Sequence, residues 1–178
     1  MTIVEGLANL TTAFGLSTSA GLNVYIPLLV VAVLARYTDL ITLRQPWDAL
    51  TSGWVIGVLL LLLLIEVLVD KIPAVDSVND VVQTIVRPVA GAILFAASSN
   101  VVSDIHPVLA LICGLILAGG VHAAKATTRP VVTGLTGGAG NALVSTTEDL
   151  LAAITSLLAV LVPVLLIVLL ILCVLIIG

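Results

Sequence analysis

The chain has 178 residues, of which 61% are hydrophobic and only 9% charged, and its mean hydropathy is +1.34. This balance excludes a water-soluble globular domain. The formal net charge of −4 is small and the acids and bases are interleaved, which excludes a basic surface for nucleic acid.

In chain order, the start Met-Thr-Ile-Val-Glu lacks the basic region of a secretory signal, so the first apolar segment is expected to stay in the mature protein. Residues 6–35 carry no charge but divide in two. The part 23–35 is rich in Val, Leu and Ile, whereas 10–22 is a run of Thr, Ser, Gly and Ala, a composition that disfavours continuous helix and predicts a broken segment.

About 20 apolar residues at 1.5 Å rise cross the hydrocarbon layer of about 30 Å. The stretches 88–103, 105–124 and 150–178 hold no charge, and 53–69 holds only Glu66. Cys113 and Cys173 fall inside such stretches, where thiols act as small hydrophobes. Neither a metal site nor a cofactor is expected.

These features predict an all-α fold: a polytopic transmembrane helical bundle of five to six spans with broken or re-entrant segments. It forms one integral membrane domain over 1–178, its first partner the lipid bilayer. Lys71, Arg87, Lys125 and Arg129 share one face if the chain alternates sides, against Arg36 and Arg44 on the other, and this favours a cytoplasmic N-terminus. Trp47 and Trp54 suit an interfacial aromatic belt. Five spans place the C-terminus outside; a further crossing within 131–145 reverses that.

Two segments resemble each other. Gly15-Leu-Ser-Thr-Ser-Ala-Gly21-Leu-Asn23 and Gly134-Leu-Thr-Gly137-Gly138-Ala-Gly140-Asn141 both run from Gly-Leu through small residues to Ala-Gly and Asn. The steps Arg87-Pro88-Val89 and Arg129-Pro130-Val131 form a second pair. An inverted repeat with halves 10–100 and 101–178 is therefore an expectation. Paired helix breaks at membrane depth are tolerated where they are buried or line a wet cavity, and transporters use half-helix ends there to hold ions or polar solutes. The competing reading is that the glycines let helices pack closely.

Ionisable residues supply a second constellation. Glu66 and Asp70 are four apart and share a helical face. Asp76, Asp80, Gln83 and Arg87 form a polar stripe, with Asp76 or Ser77 as a helix cap. His122, Lys125 and Arg129 form another stripe, and Ser145, Thr146, Thr147, Glu148 and Asp149 precede the last apolar run. Charges at membrane depth normally pair or face water. His122 alone reads as a structural group rather than a ligand. No His-Glu-x-x-His, Gly-x-Ser-x-Gly or Walker signature occurs, so no catalytic residue and no enzymatic activity are expected.

The combination Glu66, Asp70-Lys-Ile-Pro73, Asp76, Asp80 and Arg87-Pro-Val-Ala-Gly91 with Thr133-Gly-Leu-Thr-Gly-Gly138, Asn141, Ser145 and Glu148-Asp149 resembles the bacterial membrane proteins catalogued as domain of unknown function 4126. That resemblance implies a multi-pass protein of the bacterial cytoplasmic (inner) membrane and brings no activity.

The leading expectation is a small transporter or channel for an ion or small polar solute. Its path would be lined by the breaks at Asn23 and Asn141 and by Glu66, Asp70, Asp76, Asp80, Arg87, Lys125, Arg129, Ser145, Glu148 and Asp149. A homo-oligomer is expected because so few helices enclose little volume and small-residue faces associate readily. A lipid-handling protein that gathers Arg87, Lys125 and Arg129 around an anionic headgroup is the alternative. A third reading is an accessory subunit whose charges are internal ties, Arg87 and Arg129 neutralising Asp76, Asp80 or Glu148.

Overall fold

A computed structural model describes the backbone of residues 3–70, 73–99 and 106–177, and side chains within 5–70, 79, 81–98 and 106–163. The elements are α1 (Ile3–Leu22), α2 (Tyr25–Tyr37), a 3-10 turn (Trp47–Thr51), α3 (Gly53–Val69), α4 (Pro73–Ser99), α5 (Pro107–Thr136) and α6 (Asn141–Ile177). Among the described residues there is no strand. The segments Val81–Ser98, Pro107–Thr136 and Asn141–Pro163 are long and apolar enough to cross a membrane, and α2 and α3 are shorter apolar helices.

The outer faces of the helices are strongly apolar, while the interior mixes apolar side chains with buried polar and charged ones, unlike a water-soluble bundle. Leu61, Ile85 and Ile116 are more than half exposed, while Ser17, Ser19, Asn23 and Arg87 are completely buried. Such an outer surface suits hydrocarbon, and charged groups there belong in the interior.

α1 is the central element, packed against α4, α5 and α6. Its run of small residues is what allows this. Gly15 faces Ala159 of α6, and Gly21 faces Ala118 and Val121 of α5, so closely that a side chain at either position would collide. The hydroxyls of α1 join the same seams: Thr12 Oγ1 donates to Ala159 O at 2.8 Å, Ser17 Oγ to Gly91 O at 2.9 Å and Ser19 Oγ to Ala152 O at 2.8 Å. The expectation that 10–22 is broken is thus corrected. α1 is continuous through Gly15 and Gly21, because tight packing and hydroxyl bonds to neighbouring carbonyls outweigh the low intrinsic helix propensity.

α4 and α5 pair through Gly91 and Gly114, each lying against the other helix's backbone. Gly114→Ala pushes a methyl into Gly91 and is expected to destabilise the protein by about 1–3 kcal/mol. Thermal unfolding in detergent measures this; an unchanged midpoint would show the seam to be loose.

α4 and α5 also extend further than their apolar stretches. Arg87, Lys125 and Arg129 fall inside helices, with Pro88 and Pro130 inside as well, rather than in loops. α4 begins at Pro73, where proline suits a first helical turn, and not at a cap on Asp76 or Ser77. Ser145, Glu148 and Asp149 belong to the first turns of α6. Trp54 at the start of α3 is strongly exposed.

Candidate functional site

A break between two apolar helices falls at Asn23. α1 ends at Leu22, and α2 starts at Tyr25. Asn23 is fully buried and its Oδ1 accepts from Tyr25 N at 2.9 Å and Ile26 N at 3.1 Å, so the side chain caps α2. Its Nδ2 donates to Asp149 Oδ1 of α6 at 2.8 Å. Asn23→Ala removes cap and tie together; loss of the cap alone is worth about 1 kcal/mol, read as a lowered unfolding midpoint.

A helix end leaves carbonyls without partners inside the helix, and two cations meet them here. Arg87 Nη1 donates to Gly21 O and Lys125 Nζ to Leu22 O, each at 3.2 Å. Around this break the charges form two linked groups.

In the first, Arg87 of α4 pairs with Glu66 of α3 at 3.2 Å. Arg87 Nη1 also meets His122 Nδ1 at 3.3 Å, and His122 Nε2 lies 3.1 Å from Thr84 Oγ1. A guanidinium only donates, so His122 Nδ1 accepts; in the neutral ring Nε2 then carries the proton and donates to Thr84. The Gln83 side chain lies within hydrogen-bonding reach of the Tyr25 hydroxyl.

In the second, Arg129 of α5 bridges Asp70 at 3.3 Å and Glu148 at 3.2 Å, and Lys125 meets Glu148 at 2.8 Å. Asp70, just beyond the end of α3, also accepts from Ser145 Oγ at 2.8 Å and Asn79 Nδ2 at 3.2 Å.

The structure therefore brings together Asn23, Glu66, Asp70, Arg87, Lys125, Arg129, Ser145, Glu148 and Asp149. The side chains of Asp76 and Asp80 lie outside the described residues. Asn141 is engaged elsewhere: its Oδ1 accepts from Thr133 Oγ1 at 3.0 Å. Gly134 lies inside α5. Gly137 (φ +61) and Gly138 (φ +88) make the left-handed turn that joins α5 to α6, closed by Gly138 N donating to Thr133 O, and Gly140 ends it. The two Gly/Asn segments are thus not equivalent. The first is a close-packed helix ending in a buried break, and the second is an inter-helix turn with Gly137 exposed.

The Arg-Pro pair has a firmer counterpart. Arg87 and Arg129 each bond a carboxylate at the end of α3, Glu66 within it and Asp70 just beyond it, one turn apart. Sequence reasoning missed Tyr25, Asn79 and Thr84, gave His122 too little weight, and had no means of seeing the carbonyls of Gly21 and Leu22. The spacing of Gln83 and Arg87 by four was the available signal for the first group.

A family model described as Domain of unknown function (DUF4126) matches residues 10–178. The chain belongs to this family. The match takes in every side chain of both charged groups. No curated protein and no solved structure matches the chain.

Proposed function

We propose that the protein is a small membrane transporter or channel for an ion or small polar solute, and that the ion is a monovalent cation. The observation that carries this reading is the charge count around the Asn23 break. Among the described residues, the carboxylates Glu66, Asp70, Glu148 and Asp149 face the cations Arg87, Lys125 and Arg129. Four acids against three cations leave one negative charge over among these residues, with Glu66, Asp70 and Glu148 buried and Asp149 half-buried; an unbalanced charge is costly in such a setting, and a further cation relieves the excess.

In this reading α1 and α2 form a discontinuous segment, and its break is the polar midpoint of a bundle of five to six spans in a bacterial cytoplasmic membrane. The Arg-Pro pair is the trace of an inverted repeat, and copies associate through the exposed small residues Gly120, Ala123 and Ala124 on α5.

Proteoliposomes loaded with dyes for pH, sodium and potassium test it. A gradient-driven signal for one of these cations is expected; silence for all three would remove the reading.

A structural role is the second reading, favoured by Arg129, which ties α3, α5 and α6 together. It predicts stable binding to another membrane subunit and no cation passage. A headgroup site has less support, since Arg87, Lys125 and Arg129 are each engaged inside the bundle.

A further inference from the structure

Among the described residues, three buried side-chain atoms have no hydrogen-bond partner: Glu66 Oε2, Gln83 Oε1 and Arg87 Nε. They belong to one corner of the bundle. Glu66 meets Arg87 through its other oxygen, and Gln83 lies one turn before Arg87 on α4. The three residues are 3%, 2% and 0% exposed, so bulk solvent does not satisfy these atoms, and leaving buried polar atoms unmet is costly. Gln83 lies near Tyr25, and its carbonyl oxygen is the side-chain atom left without a partner.

The unmet set is one donor and two acceptors. A water molecule matches this set: its oxygen accepts from Arg87 Nε, and its two hydrogens go to Glu66 Oε2 and Gln83 Oε1. An alkali cation would suit the two oxygens but would be repelled by the guanidinium beside them. We propose that this corner binds a single water and that Glu66 exchanges protons with the surroundings through it, so that the proton is the cation of the site.

This deepens the transport reading and rests on it. In the step, the water passes one of its protons to Glu66, its O–H bond breaking with the electron pair staying on the water oxygen, while that oxygen takes a proton from a hydronium outside the corner, so no full cation stands beside the guanidinium. A lone pair of Glu66 Oε2 forms the new O–H bond. Release is the reverse, and nothing is oxidised or reduced. Protonation leaves Asp70, Glu148 and Asp149 against Arg87, Lys125 and Arg129, a balanced set. Arg87 keeps Gly21 O and His122 Nδ1 as partners when Glu66 is neutral. The charged and titratable groups facing Glu66 are Tyr25 from α2, Asp70 from its own helix, Arg87 from α4, Lys125 from α5 and Asp149 from α6.

Infrared spectroscopy of the full chain in liposomes across a pH titration is the test. The expected result is a protonated-carboxyl C=O band that grows reversibly as pH falls, disappears in Glu66→Gln and changes frequency in Gln83→Leu. A titration without such a band, or a band unaltered in Glu66→Gln, overturns the proposal. Should Glu66→Gln fail to fold, Gln83→Leu decides, because Glu66 is intact there and an unmoved band overturns the shared site. A Glu66 band in a protein that passes no cation would leave this site standing and remove the transport reading. Sodium or potassium flux without the band would do the opposite.

Discussion

Replacing Arg87 with glutamine is expected to destabilise the protein by about 3–5 kcal/mol, the cost of leaving one partner of a buried ion pair unmatched. Arg87 is completely buried and serves three elements at once: Glu66 of α3, the Gly21 carbonyl at the end of α1 and His122 of α5. Glutamine is shorter and uncharged, and its two amide hydrogens cannot replace all three of these bonds. The partner variant Glu66→Gln should cost less, because Arg87 keeps its other acceptors. The double variant should be more stable than the sum of the two, with a coupling of about 1–3 kcal/mol, since residues in one network are not additive. Chemical unfolding in detergent across the cycle gives the numbers; strict additivity would show that the pair contributes no interaction of its own.

Asp149→Asn has the second large effect, and on function rather than folding. An amide oxygen at this position still accepts from Asn23 Nδ2, so the tie between the break and α6 persists. What disappears is the surplus negative charge. Cation passage is expected to fall by at least about tenfold, equivalent to about 1.4 kcal/mol, with the unfolding midpoint little changed. If the variant passed cations at the original rate, the surplus charge would have no part in attracting them.

Part of this arrangement is legible in the residues alone. The apolar stretch 53–69 coincides with α3, and the spacing of Glu66 and Asp70 correctly puts both on one face, where each meets an arginine. The break at Asn23 and the burial of Arg87, Lys125 and Arg129 follow from the expense of polar groups at membrane depth.

The continuity of α1 was hidden because helix propensities describe a helix in water. The glycines at 15 and 21 gain contacts from Ala159, Ala118 and Val121 that no local rule contains. The likeness of 134–141 to 15–23 misled for the same reason. Similar small residues make a packed helix where three helices surround them, and a turn where the chain has to reverse. α4 and α5 run past the uncharged stretches 88–103 and 105–124 because a paired charge stays within a helix rather than ending it.

Cation passage through the polar centre at the Asn23 break should appear as electrical current from proteoliposomes on a solid-supported membrane after a jump in pH or in sodium or potassium concentration. The account predicts a transient current with the original protein and with the control Asp39→Asn, which alters an exposed acid outside the helices, and a much smaller current with Asp149→Asn. No current from the folded original protein, or equal currents from all three, would contradict it.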